Sequence, residues 1–552
     1  MRARRLLGAG ILAAIALTAA PREADAFCGF YVAPGDSTLV NDASMVALMR
    51  NGTRTVMTMS NNYKGPAADF AMVVPVPTVL QKDSVQTLDR ALFDRLETLT
   101  SPRLVEYWEK DPCDYPCANE APGTCGYGYG SGSGYGMMGG RSSLVTVEAQ
   151  FAVGEYQIVI LGAKDSDALE KWLLANGYKI PAGASTALAP YVADQQKFFV
   201  AKVDIKKVKL DDSGAAQLSP LRISFDSTDF RLPVRLGLLN ASGKQDLIVY
   251  LLSETTRFDV ANYPNVFITT NVEVIDDTRK SFSSFYAALF DATLDKAGGR
   301  AVVTEYAWSS GSCDPCPTPA LSNAEIASLG GDVIYGAKAV PTAKGGWSVP
   351  VSGGMSGSHP MVLTRLHTRY DKATLDQDLV FRAADPVEGG REGDDTGAHV
   401  TEAGTNNFQA RYAIRHEWTG PIKCKFPLRH QWGGPPKGVK DEAIPATKLA
   451  SAPRADVKLA SFLTEGIPLL DVAAGASDAG ISDGAADAST GDASGVDGSD
   501  DASIASGGGV PAVPPSSRGC GCDVGASTEG ALSLGSLLVA TFVMMRRRRR
   551  AS

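Results

Sequence analysis

From Asp471 to Ser506 the chain is almost wholly Ala, Gly, Ser and Asp, as in "SDAGISDGAADASTGDASGVDGSDDAS", with no Lys, Arg or aromatic residue. Charge of one sign and too little apolar surface to offset chain entropy rule out a folded core in this tract. With the following "GGGVPAVPPSSR" it makes a spacer of roughly 45 residues, a coil on the order of 35–40 Å from end to end. A folded body must therefore lie before it. Aspartates recur along the tract, but no D-x-[DN]-x-[DN]-G loop with a closing Glu is present, so a solvated stalk fits better than a calcium site.

The two ends say where such a stalk would stand. The chain opens "MRARRLLGAGILAAIALTAAPREADAFCGF". Arg2, Arg4 and Arg5 form a positive start, Leu6 to Ala20 an apolar run, and Ala24-Asp25-Ala26 an A-x-A cleavage site before Phe27. That is the pattern of a secretory signal peptide spanning 1–26. A bulky Phe27 ahead of Cys28 argues against N-terminal lipidation. At the other end, Ala531 to Met545 are fifteen uncharged residues followed by Arg546 to Arg550. As a helix this run is about 22 Å long against roughly 30 Å of hydrocarbon, short for a permanent transmembrane segment unless the arginines snorkel. Five arginines after the run predict a cytoplasmic C-terminus, which agrees with an exported body.

Gly519-Cys520-Gly521-Cys522, then the apolar run, then the arginine cluster, resembles the MYXO-CTERM tripartite sorting tail of myxobacterial-type surface proteins. The resemblance implies processing or lipid attachment at Cys520 or Cys522 by a sorting protease, with the protein left on the cell surface. An ordinary C-terminal membrane anchor is the alternative. Signal peptidase and that protease are then the expected partners, together with the membrane through 520–552.

The body, 27–440, reads as globular: the chain is 44% hydrophobic and 21% charged. Taking the +2 of residues 1–26 and the +3 of residues 520–552 out of the formal −8 leaves −13 between them, a charge that disfavours nucleic acid as a partner. "TVMTMS", "FAMVVPVP", "YQIVILGA", "KFFVAKVDI", "DLIVYLLS", "NVFITTNVEVI", "AVVTEYAW" and "MVLTRLHTRY" are predicted strands. "TLDRALFDRLETL", "DSDALEKWLLANGYKIP" (stopping at Gly177) and a short turn from the capping box Ser322-x-x-Glu325 to Gly330 are predicted helices. So is "RLVEYWEK", with Ser101 as N-cap and Pro102 as first residue. Strands outnumber helices without regular alternation, which predicts an α+β class: a strand-rich mixed body with a few short helices, a stalk and a C-terminal transmembrane segment. "KLDDSGAAQLSP" separates two strand groups and marks a sub-boundary near 210–220, and a linker is expected over 441–519.

"FCGFYVA", "FAMVVPVP", "LSPLRISFDS", "CDPCPTPAL", "TRLHTRYDK", "DLVFRAADPVEGGRE", "NNFQARYAIRHEW" and "WGGPP" resemble, in order across roughly residues 27–436, the signature stretches of an uncharacterised family of exported bacterial proteins, domain of unknown function 2330. The family supplies no established catalytic residues to carry over.

Seven further cysteines, Cys28, Cys113, Cys117, Cys125, Cys313, Cys316 and Cys424, default to disulfides in an exported protein, and an odd count leaves at least one otherwise engaged. Cys113, Cys117 and Cys125 flank the loop "CGYGYGSGSGYGMMGG", where a staple would serve, or where Tyr127, Tyr129 and Tyr135 would form a contact surface. Cys313-Asp-Pro-Cys316 sits among Pro315, Pro317 and Pro319, a context for a rigid turn closed by a small disulfide; zinc, with Cys113 and Cys117, and redox chemistry are the other readings. The histidines are His359, His367, His399, His416 and His430, and none forms H-E-x-x-H. His367 and His416 read as polar-face or satisfied core histidines rather than bases. "GGMSGSH" is not G-x-S-x-G. Arg415, His416, Arg429 and His430 with Trp418 and Trp432 form a late cluster that either takes an anionic group or is a solvated sheet edge. No catalytic set, metal site or cofactor is assembled by these motifs. The reading is a cell-surface structural or binding module in the cell envelope; the alternative is an extracytoplasmic enzyme, either thiol-redox through Cys313 and Cys316 or a metal-dependent hydrolase.

Overall fold

The computed structural model describes residues 30–32, 43–61, 70–114, 150–162, 166–181, 183–210, 216–240, 243–335, 340–341, 347–348, 361–391, 399–439, 443–447 and 457–474. The signal and tail, Cys28, Cys117, Cys125, Cys520, Cys522, His359, the Gly-Tyr loop and "GGMSGSH" lie outside them. Among the described residues no helix is long and apolar enough to cross a membrane.

The body is a strand-rich mixed α+β fold. Its frame is a sheet whose strands run in the order Thr401–Glu402, Val387–Gly389, Asn407–Gln409, Val302–Ser309, Val362–Tyr370, Gln245–Ser253, Ala43–Asn51, Arg54–Asn61, Leu221–Asp226 and Val85–Thr87. Gln245–Ser253 is buried along its whole length, as suits a central strand covered on both faces. It pairs parallel with Ala43–Asn51 and antiparallel with Val362–Tyr370. One face of this sheet (Leu48, Met57, Val249, Leu366) packs on a second antiparallel sheet through Phe70, Met72, Ile158 and Phe199. The outer face of that second sheet is covered by helices α2 (Ser166–Ala175) and α3 (Ala184–Ala193) through Leu169, Leu173 and Leu188. The large sheet's other face carries α1 (Ala91–Thr100) at one end and α4 (Phe282–Lys296) at the other. Helix, sheet, sheet and helix therefore form four layers around alternating apolar faces.

The segment "RLVEYWE" is a strand, Arg103–Glu109, and not the predicted helix. Ser101 is the C-cap of α1 rather than an N-cap, and the residue before Pro102 is biased to extended backbone. This strand pairs parallel with Arg411–His416 in a smaller sheet. The turn opened by the Ser322–Glu325 capping box forms, and the chain bends out of it at Gly330 (φ 138). A Cβ there would lie 2.8 Å from the Cβ of Val56, so the close approach of turn to sheet needs a glycine. Helix α4, the longest among the described residues, is dense in aromatics and has an apolar surface too wide for a simple stripe, so its periodicity is poorly marked in the sequence. Around residues 210–220, Lys209–Leu210 and Ala216–Gln217 form a two-stranded hairpin, and strands on either side of it feed one apolar core.

The body also extends past residue 440, into what reads as linker. Ile444–Pro445 pairs with the Arg103–Glu109 strand, and Leu459, Leu463 and Ile467 are buried in the cluster around α4. These three leucine and isoleucine side chains, four residues apart, supply the apolar surface that the stalk proper lacks.

Candidate functional site

A buried charged set inside the body starts from a slip in strand register. Thr304 faces Leu366 and Tyr306 faces Arg365, so Glu305 is the extra residue of a β-bulge. Bulges re-aim side chains, and here the carboxylate is turned into the layer beneath α4. Arg365 Nε lies 2.5 Å from Glu305 Oε2, His367 Nδ1 2.7 Å from Oε1, and the Tyr286 hydroxyl donates to Oε1 at 2.6 Å. His367 Nε2 reaches Asp246 Oδ1 at 3.0 Å, with Arg369 3.5 Å from the other oxygen. Arg365 also donates to Thr100, Ser101 and Tyr250, joining the end of α1 to the sheet. The Phe290 ring stacks on His367 at 3.9 Å.

Arg365, Glu305 and His367 are fully buried. Burial alone would push Glu305 up, but His367 and Arg365 outweigh it and hold the carboxyl at about 2. Burial likewise opposes charge on His367, and the Glu305 and Asp246 carboxylates outweigh it, raising its pKa. Both ring nitrogens of an imidazolium then donate to carboxylates. Charge alternates along the set, Arg365–Glu305–His367–Asp246–Arg369, and of these five only Arg369 at its end is partly exposed, so the buried protons are fixed in place rather than passed on. His367 is a satisfied core histidine.

A second histidine corner lies in the smaller sheet. The His416 ring stacks on Trp108 at 4.8 Å, and its Nε2 lies 2.9 Å from Glu106 Oε2. Arg279 bridges Glu106 (2.5 Å) and Asp276 (3.0 Å). Glu106, Asp276 and His416 bring ligand-type atoms within 4.8 Å of one another, but the Arg279 guanidinium already supplies the positive charge between the two carboxylates. Nearby, Arg415 pairs with Glu273 at 2.8 Å beneath the Trp432 ring, and Arg429 pairs with Glu109 at 2.9 Å. Glu109 also accepts the backbone N–H groups of Trp418 and His430, which outweigh its burial and lower its pKa. The late cluster is thus an internally paired sheet edge, with Arg415 and Arg429 each paired with a glutamate and the His416 ring hydrogen-bonded to Glu106.

The described cysteines pair in two ways. Cys113 is joined to Cys424, 311 residues away, tying the 417–433 loop to the end of the Arg103–Glu109 strand. Cys313 is joined to Cys316. With these partners taken, a four-cysteine zinc site of Cys113, Cys117, Cys313 and Cys316 is not formed. Sequence reasoning passed over Glu305, Asp246, Tyr286 and Arg103. The available signal was an acidic residue inside the apolar strand "AVVTEYAW", together with Arg365 and His367 on one face of "MVLTRLHTRY".

A family profile described as an uncharacterized protein conserved in bacteria (DUF2330) matches residues 22–382, well over half of the chain. The chain belongs to this family. The family span holds Asp246, Glu305, Arg365, His367, Cys313 and Cys316; Arg411, His416 and Cys424 lie beyond it, as do the stretches "NNFQARYAIRHEW" and "WGGPP". No curated protein matches. Among solved structures, the crystal structure of baculovirus P35 aligns at 10% identity and a TM-score of 0.21, covering 41% of this chain and 66% of that one. So low a score carries no argument about fold or function.

Proposed function

We propose that the chain is an exported protein held at the cell envelope by its C-terminal tail, with a body that serves as a structural or binding module. The observation that carries this reading is the Cys113–Cys424 bridge, whose Cα atoms lie 5.5 Å apart. A disulfide joining such distant parts of the chain is the currency of an oxidising compartment, and the A-x-A signal and the arginine-capped tail read from the sequence agree with it. The Glu305–His367 set supports a structural role, because Glu305, Arg365 and His367 are fully buried and bonded to one another. Binding has a place to occur: a groove of about 550 Å³ is lined by Arg257, Asp259, Phe267, Arg382, Asp385 and Glu402.

The test is peptide mass mapping of protein taken from native envelopes, with free thiols alkylated before reduction. The expected result is an N-terminus at Phe27, a C-terminus near Cys520 or Cys522, and Cys113 and Cys424 protected from alkylation. An intact leader, or alkylated Cys113, would overturn the export reading. An intact arginine tail would leave export standing and replace the sorted tail by a plain membrane anchor.

A further inference from the structure

We propose that Cys313–Cys316 is a surface thiol–disulfide exchange site whose partner is a dithiol of another polypeptide. The inference rests on the export reading only for the location of that partner.

Three observations carry it. The loop is held without its disulfide. Its ends are pinned where Ser310 donates to the Met361 carbonyl (2.7 Å), Met361 donates to the Ser310 hydroxyl (2.9 Å) and Leu321 donates to the Ser310 carbonyl (3.1 Å). Its interior is held by Trp308 donating to Ser312 (3.2 Å), by Arg103 donating to the Pro315 carbonyl (2.6 Å), and by Arg95 donating to Thr318 and to the Pro319 carbonyl (2.8 Å). A bridge that closes only three residues adds little to such a lattice, so it can open while the fold persists.

Access is one-sided. Cys316 is exposed, whereas Cys313 is half-buried against the apolar cluster that holds Trp308 and Leu321. An incoming thiolate therefore meets the Cys316 sulfur, and Cys313 is the leaving group.

The charges touching the loop are three arginines and two carboxylates, an excess of one cation. Arg95, Arg103 and Arg391 contact it, against Asp314, which pairs with Arg391 at 3.6 Å, and Glu325, which pairs with Arg95 at 2.8 Å. Arg103 is fully buried and donates to the carbonyls of Leu99 and Pro315; among the described residues no carboxylate accepts from it. Burial lowers its pKa to about 10, which leaves it cationic at neutral pH. Neighbouring cations stabilise thiolates, both as leaving group and as nucleophile.

In the exchange a partner thiolate attacks Cys316 Sγ. The new S–S bond forms as the Cys313–Cys316 bond breaks, and its electron pair leaves on Cys313 as a thiolate. The partner's second thiolate then attacks the mixed disulfide and frees Cys316. Two electrons pass from the partner dithiol to the loop, the partner leaves oxidised, and the reverse exchange uses the same steps.

The experiment equilibrates the purified full chain in a series of reduced and oxidised glutathione buffers, then acid-quenches, alkylates and maps the peptides. Cys313 and Cys316 are expected to titrate between dithiol and disulfide while Cys113–Cys424 stays oxidised, with the thermal midpoint moving by no more than about 5 °C. The reduced Cys316 should alkylate with a pH midpoint below the roughly 8.5 of a free thiol, each unit of lowering giving about tenfold more thiolate at neutral pH. Arg95→Gln and Arg391→Gln, both at partly exposed positions, should move that midpoint upward. Cys313→Ser should retain a peptide offered as its disulfide: the Cys316 thiolate attacks that disulfide, the peptide's other sulfur leaves as a thiolate, and without Cys313 to displace it the peptide stays bound to Cys316 as a mixed disulfide. A bridge that stays closed until the protein melts, or a midpoint at or above that of a free thiol, overturns the proposal. These readouts are made on purified protein, so a failed export test leaves them standing and their failure leaves export standing.

Discussion

The molecule contains the same small assembly twice. At His367 and again at His416, a histidine is stacked on an aromatic ring, bonded to a glutamate, and joined through that glutamate to an arginine. The first copy is sealed beneath α4; in the second the side chains of His416, Arg279 and Asp276 are 30%, 39% and 66% exposed. Identical partners do not mean identical energetics. In the interior each charge has been stripped of water, so it depends on its partner. At the sheet edge water replaces a lost partner at little cost.

Truncation tests the comparison most severely. Phe290→Ala should remove a fully buried ring and cost about 3–5 kcal/mol in urea unfolding, whereas Trp108→Ala, from a half-buried site, should cost distinctly less. Next, Glu305→Gln keeps the shape but leaves Arg365 and His367 without their shared anion, and should also cost about 3–5 kcal/mol. Equal losses for Glu305→Gln and Glu106→Gln would break the comparison.

The pH dependence sharpens it. Glu305 has a folded pKa of about 2, below its unfolded value, so its contribution is present above roughly pH 4.5 and is lost as pH falls through about 2. His367 has a raised folded pKa, so its contribution is complete below roughly pH 6.5 and is lost as pH rises through the folded value. Stability measured across pH should show both losses, and Glu305→Gln should flatten the acidic one. The smallest effect is expected from Glu106→Gln, under about 1 kcal/mol and reduced further by salt. A salt-insensitive loss would place that corner with the buried one.

Much of this architecture was visible in the sequence at the level of single strands. β-branched and aromatic runs such as "DLIVYLLS" and "FAMVVPVP" marked real strands because burial on both faces demands unbroken apolar sequence. Pairing was not visible, since parallel neighbours such as Ala43–Asn51 and Gln245–Ser253 share no local signal. The Arg103–Glu109 strand was misread because Ser-Pro marks either a helix start or the exit from one, and only the preceding α1 decides between them. The buried ionic set was missed for a related reason. A charge inside a strand pattern looks like a solvated face until the layer covering it is known.

The parallel pairing of Arg103–Glu109 with Arg411–His416 has a consequence for how the chain is made. About 300 residues separate these strands, so the edge beside Arg103 has no partner until nearly the whole body has been synthesised, and only then do Cys113 and Cys424 come together. Contacts of such high sequence separation slow folding, because loop closure comes before any pairing energy. The Arg103–Glu109 strand must therefore wait as an open edge, while neighbours such as Ala43–Asn51 and Arg54–Asn61 pair locally. A chain cut short before residue 411 would keep that edge unpaired, an invitation to join a neighbour's sheet instead of its own.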